Sequence, residues 1–167
     1  ELEGRLEDKY GKSFPIRPIR PNDVDALEDF IEHTDRDDLR FRFLSPLKKL
    51  PNQLVARLTQ IDYAREMAFV VFDGEDKKDR SIIGVGRLAA DPDHERAEYA
   101  VLVRSDWHGT GLGFALMNKV IDYARDQGIA DLFGVVMREN RAMLKMCERL
   151  GFVRKTVSGE PGLVEVV

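Results

Sequence analysis

The chain has 167 residues, 43% apolar and 34% charged, a profile that excludes a disordered protein and suffices for one domain with a sizeable core. A net charge of -4 argues against nonspecific nucleic-acid binding, and no apolar run approaches the roughly 18 residues of a membrane-spanning helix. The single cysteine, Cys147, rules out an internal disulfide and fits a reducing cytoplasm; with only His33, His94 and His108 beside it, in no metal-binding spacing, no metal site is expected.

Glu1 to Ser13, mostly charged or small, reads as a leader or linker with at best a short helix. A start without methionine and without a basic or apolar signal region is expected of a processed product or a piece excised from something longer. Phe14 to Arg20 follows as a strand, apolar at Phe14, Ile16 and Ile19, with Pro15 and Pro18 marking a sheet edge. Pro21-Asn22-Asp23 opens a helix with acids in its first turn and an apolar face of Val24, Leu27, Phe30 and Ile31, ending near His33 or Thr34. Asp35 to Leu47 alternates acids with Arg36, Arg40 and Arg42 around Phe41, Phe43 and Leu44. It reads either as a substrate-side lid or as a solvated connector over a small apolar cluster, and the connector is favoured. Leu50-Pro51-Asn52 starts a second helix with Leu54, Val55, Leu58 and Ile61 on one face, stopping near Asp62.

Met67 to Phe72 is continuously apolar, as a buried strand is; Ser81 to Ala90 is its hairpin partner and Arg96 to Arg104 the third strand of an antiparallel run. Gly84 and Gly86 in the middle strand mark a bulge or a close backbone approach. His108-Gly109-Thr110-Gly111-Leu112-Gly113 then stands where a strand hands over to a helix, the amphipathic stretch Leu112 to Gln127. Glycines let successive amides turn inward, and a helix start adds unpaired N–H groups and partial positive charge, so this loop is a cradle for phosphate or pyrophosphate. It lacks the Gly-Lys-Ser/Thr of a Walker loop, and Phe114 stands where the dinucleotide fingerprint needs its third glycine. The helix has a stripe of Leu112, Ala115, Leu116, Val120, Tyr123 and Ala124 and a stop at Gly128. Asp131 to Met137 is a strand, Asn140 caps a helix carrying Met143, Leu144, Met146, Cys147 and Leu150, and strands over Phe152 to Val157 and Leu163 to Val167 close the chain.

The loop, read as His108 followed by Gly111 and Gly113 and running into Ala115-Leu116-Met117, resembles the coenzyme A pyrophosphate loop of the GNAT N-acetyltransferase family, which opens on Gln or Arg where this chain has His108. The run from Asn140 to Gly151-Phe152 is similar to that family's Asn-to-Gly-Phe helix, and the element order matches from Phe14 to Val157. Arg42-Phe43-Leu44-Ser45-Pro46, Ile61 to Tyr63, Arg65-Glu66-Met67-Ala68 and Ala97 to Asp106 further resemble the catalytic domain of bacterial Pat-type protein lysine acetyltransferases, many of which carry it beside an acyl-CoA synthetase-like segment. The resemblance implies an α/β (α+β) fold with a mixed, mostly antiparallel sheet of six to seven strands. About four helices flank it, and it splays at its fourth and fifth strands. The acetyltransferase domain then spans residues 14–167, after a leader at 1–13.

The resemblance also implies the chemistry. Acetyl-CoA is the co-substrate; the backbone of Val101 and Val103 pairs with pantetheine and polarises the thioester carbonyl, while the amides of Gly109, Thr110, Gly111, Leu112 and Gly113 hold the pyrophosphate. His108 touches a phosphate or is simply exposed, and Asn140 contacts pantetheine or is a plain helix cap. A lysine of pKa ~10.4 is only about 0.04% neutral at pH 7, a handicap of roughly 4.6 kcal/mol, so a base is needed. Glu98, ten residues before His108, takes that role by motif offset, through partial burial or through water; its alternative is a surface ion pair with Arg96 or Arg87, and Glu66 is the reserve base. Many relatives place a thiolate-protonating tyrosine where this chain has Cys147, which is either a weak acid or plain packing. The implied function is acetyl transfer to a lysine of a protein in the cytoplasm, with an acyl-CoA synthetase as a candidate acceptor. A small-amine acetyltransferase and a non-catalytic acyl-CoA sensor are the alternatives.

Overall fold

The structure is a computed structural model that describes residues 3–44 and 52–167. The expectations at Ser45-Pro46, at Leu47 and at the helix start Leu50-Pro51 fall outside the described residues. Among these, eight strands form one sheet: β1 Gly4–Glu7, β2 Ser13–Pro18, β3 Glu66–Phe72, β4 Ile82–Ala90, β5 Arg96–Val103, β6 Asp131–Met137, β7 Arg154–Thr156 and β8 Leu163–Val166, in the order β1-β2-β3-β4-β5-β6-β8-β7. Five helices flank it: α1 Val24–Glu32, α2 Arg36–Phe43, α3 Asn52–Thr59, α4 Leu112–Asp126 and α5 Arg141–Arg149. None of the described helices is long and apolar enough to cross a membrane.

Strand alternation divides the core in two. Phe14, Ile16, Phe69, Val71 and Leu88 face α4 and α5 and pack on Leu116, Val120 and Leu144, whereas Ala68, Val70 and Val85 face Leu27, Phe30, Leu39 and Val55 of α1 to α3. β3 reads as an unbroken apolar run because both its faces are covered. Both meanings open for Gly84 and Gly86 are found. A Cβ on Gly86 would stand 2.9 Å from Leu116 Cγ and 3.0 Å from Val120 Cγ2, so α4 rests directly on the β4 backbone. The register shifts beside Gly84: Val71 pairs with Gly84 but Phe72 with Ile82, which leaves Ile83 as the extra residue of a bulge in β4.

The sheet opens between β5 and β6. These parallel strands pair only at Arg96↔Asp131, Ala97↔Leu132 and Glu98↔Phe133; from Gly134 onward β6 pairs instead with β8, antiparallel, as far as Met137↔Leu163. The ring of Tyr99 fills the space over Gly134 where a Cβ would stand, and it marks the point of departure.

Two stretches differ from the sequence reading. Gly4–Glu7, placed in the leader, pairs antiparallel with β2 from Gly4↔Ile16 to Glu7↔Ser13 and buries Leu6, so β1 takes the edge position that Pro15 and Pro18 had suggested for β2. Arg36–Phe43, read as a connector, is helical. Its apolar residues are too few to show a periodicity, but Asp37 and Asp38 in the first turn and Arg40 and Arg42 in the last complement the helix dipole.

Candidate active site

Register brings the two glutamates together. Glu66 pairs with Ala89, and Ala89 with Glu98, so the three lie in one row across β3, β4 and β5 and point to the α1–α3 face. Two strand spacings put the glutamate backbones about 10 Å apart, over the small Ala89. The next row is Ala68, Arg87 and Ala100. A cleft of about 770 Å³ runs from Glu66 and Glu98, past Val101 and Val103, to Gly111, Gly113 and Asn140.

Glu98 is exposed at the mouth of this cleft rather than partly buried, and among the described residues it makes no ion pair; Arg96 pairs with Glu165 at 3.5 Å instead. Arg87 is half-buried and donates to the Leu58 carbonyl. Burial, and then the charge of Arg42, lower its pKa to about 10. Burial also lowers the pKa of Arg42, an effect that the charge of Glu98 opposes. The acceptor end of the cleft thus carries both signs of charge.

The unpaired edge of β5 offers its backbone to the gap. Arg104 N–H donates to Ile83 O, on the β4 side, so alternation turns the polar groups of Val103 and Val101 the other way, toward β6. The Val103 carbonyl is already engaged, accepting from His108 Nε2 at 3.1 Å, a bond that gives His108 a structural task. The same Nε2 lies 3.5 Å from Asp38 Oδ2, and Asp38 accepts from Ser105 Oγ at 2.6 Å. At the other end of α2, Arg40 reaches Glu139 at 3.2 Å. α2 therefore straddles the splayed strand ends, tied to the loop after β5 and to the residues after β6.

In the glycine loop Gly109 and Gly111 have φ of 80° and 83°, where other residues are strained. A Cβ on Gly111 would also meet Lys9 Cβ at 2.9 Å, while Lys9 N–H donates to Thr110 O at 2.9 Å, so the turn after β1 forms the outer wall of the loop. At Gly113 a Cβ would meet nothing closer than 3.6 Å, so among the described residues no neighbour demands glycine there. The N-cap, Gly111, has no side chain, and the first amide of α4, Leu112 N–H, donates to Thr110 Oγ1 at 3.4 Å; the amides that follow at the helix start, with those of the glycine loop, form a donor set that fits a pyrophosphate. Asn140 Oδ1 accepts from Met143 N–H at 3.2 Å, the helix-cap role. Its place on the cleft wall leaves the pantetheine contact open as well.

The family model described as Acetyltransferase (GNAT) family matches residues 29–152. The chain belongs to this family. It is accordingly an acyltransferase that uses acetyl-CoA, and its open sheet is the GNAT fold. It is 37% identical over 143 residues to the Pseudomonas aeruginosa acetyltransferase PA5475, covering 86% of this chain and 76% of that protein. It is 30% identical over 152 residues to the acetyltransferase Pat of Mycolicibacterium smegmatis, covering 87% of this chain but only 43% of that protein. The crystal structure of the GNAT domain of S. lividans PAT superposes with a TM-score of 0.88 at 25% identity, covering 98% of this chain and 94% of that one.

Tyr99 and Arg87 line the cleft without having been singled out as site residues from the sequence; Arg42, with Phe41 and Leu44, lines it as the lid reading of that segment, the less favoured of the two, would have it. A signal for Tyr99 existed: it follows Glu98 on a strand, so it must face the other side of the same opening.

Proposed function

We propose that this acetyltransferase modifies the side-chain amine of a lysine in a protein, with Glu98 as the base. The observation that carries this reading is the position of Glu98, exposed on the α1–α3 face at the last residue pair before β5 and β6 part, with no ion pair among the described residues. Support comes from the similarity to Pat and to the GNAT domain of S. lividans PAT. An amine entering over Ala89 meets Glu98 and Glu66 on either side, which attract its ammonium form, and Glu98 removes a proton directly or through one water. The Val101 N–H, turned into the gap, polarises the thioester carbonyl, and the α4 amides with the glycine loop hold the pyrophosphate. Glu66 is the reserve base. An acyl-CoA synthetase is the first acceptor to try.

A small-amine acceptor is the second reading, favoured by Arg42 and Arg87 at the acceptor end, which suit a substrate that carries a carboxylate beside its amine. Incubation with acetyl-CoA and parallel panels of proteins and small amines, read by thiol release and mass gain, decides between them. Acetylated protein lysines support the first reading; transfer to amino acids alone, or to nothing despite tight CoA binding, overturns it.

A further inference from the structure

We propose that the Tyr99 hydroxyl donates the hydrogen bond that stabilises the departing thiolate of CoA, with Cys147 as its positioning residue. This rests on the acetyl-transfer reading above and assigns the leaving-group side of the same reaction.

Neighbouring residues on a strand point to opposite faces. Glu98 faces α1 to α3 and Tyr99 faces α4 and α5, and both stand where β5–β6 pairing stops. They therefore flank the closed end of the gap from its two sides. A thioester lying there, within reach of Glu98, is also beside the phenol. The nucleophile arrives on one face and the leaving group departs toward the other, so a donor opposite the base is where the chemistry needs one.

Tyr99 is held for this purpose. The residue is 6% exposed; its ring lies over Gly134 with no room for a Cβ between them and meets Phe152 edge-on at 5.8 Å and 64°. Yet it lines the cleft. Its hydroxyl shares a hydrogen bond with Cys147 Sγ at 3.2 Å, the hydroxyl's sole side-chain contact of this kind among the described residues. Thiol sulfur is a weak partner, so a buried phenol tied to it gives up little when a charged sulfur takes its place. The phenol, carried on β5, thus reaches across the core to α5.

In the step the amine nitrogen forms a bond to the acetyl carbon, the carbon–sulfur bond breaks, and its electron pair leaves with sulfur. Glu98 takes the ammonium proton before attack and passes it to water; the second proton, lost from nitrogen as the amide forms, goes to Glu98 in turn. Burial keeps the phenol protonated, so it contributes a hydrogen bond and not its proton; the thiolate is protonated by water as CoA leaves.

The test compares wild type with Tyr99→Phe, which keeps the ring, and with Cys147→Ala. The expected result for Tyr99→Phe is a fall in kcat of about 10- to 100-fold, the worth of one hydrogen bond to a charged acceptor, with KM for acetyl-CoA little changed. Cys147→Ala should fall less. A second readout is the ratio of dissociation constants for CoA and desulfo-CoA at alkaline pH, where the thiol ionises. Wild type should favour CoA and Tyr99→Phe should lose that preference, whereas a purely structural role leaves the ratio alone. A kcat within about twofold of wild type together with an unchanged ratio overturns the proposal. If no amine is acetylated, the acetyl-transfer reading fails, and the CoA ratio still decides whether Tyr99 contacts the sulfur.

Discussion

Lys9 lies against Gly111, its side chain filling the place of a Cβ and its amide bonded to the neighbouring Thr110 carbonyl. The turn between the first two strands thereby buttresses the loop that reads as the pyrophosphate site. Gly111→Ala must both hold a left-handed backbone, at about 1–2 kcal/mol, and displace Lys9. The expected outcome is a lower unfolding midpoint and a CoA dissociation constant raised several-fold, measured by denaturation and by calorimetric titration.

Gly86→Ala presses on Leu116 and Val120 from beneath α4. Overpacking of this kind costs about 1–3 kcal/mol. Because Gly86 faces the helix, away from the glutamates, urea midpoints should drop while kcat of the folded fraction stays near wild type.

The buried ion pair of Arg17 and Asp23, at 2.8 Å, makes stability depend on pH. Burial alone pushes the Asp23 carboxyl up, but hydrogen bonds from the Arg17 guanidinium and the Arg20 amide outweigh it and leave the pKa below its ordinary value. A depressed carboxylate stabilises the fold fully above its unfolded pKa, about 3.9, and loses that contribution as pH falls through the folded value. Urea midpoints measured from pH 6 downward should show this acid loss in wild type and a flatter dependence in Asp23→Asn. Asp23→Ala, which strands the Arg17 charge, should cost about 3–5 kcal/mol at neutral pH.

His108→Ala frees the Val103 carbonyl and loosens α2 from the loop after β5. One neutral hydrogen bond is worth about 0.5–1.5 kcal/mol, so KM for acetyl-CoA should rise by a factor of roughly two to ten with kcat less affected. His108→Gln, which keeps a donor, should recover part of the loss.

What the sequence disclosed follows from pattern length. α4 is 15 residues long with a full stripe, β3 is apolar throughout, and the glycine loop carries its spacing with it, so all three were legible. β1 has one buried side chain, Leu6, and α2 one, Leu39, too little periodicity to show against charged surroundings. Within the site, Glu98 and the loop are linked by an offset along one segment and could be found together. Glu66 joins Glu98 through the register of three strands, Arg42 arrives from a helix read as a connector, and the Tyr99–Cys147 contact spans 48 positions. Such relationships are set by pairing and packing, and no local spacing encodes them.

The most direct measurement is acetyl transfer by Glu98→Gln, an isosteric change at an exposed side chain with no ion pair to break among the described residues. With acetyl-CoA and an acceptor protein, the account predicts a kcat reduced about 100-fold or more, the usual worth of a positioned base, with CoA binding and unfolding midpoint unchanged. The defect should shrink as pH rises and more of the amine is neutral. Turnover within about threefold of wild type at neutral pH would contradict the assignment of Glu98 as the base.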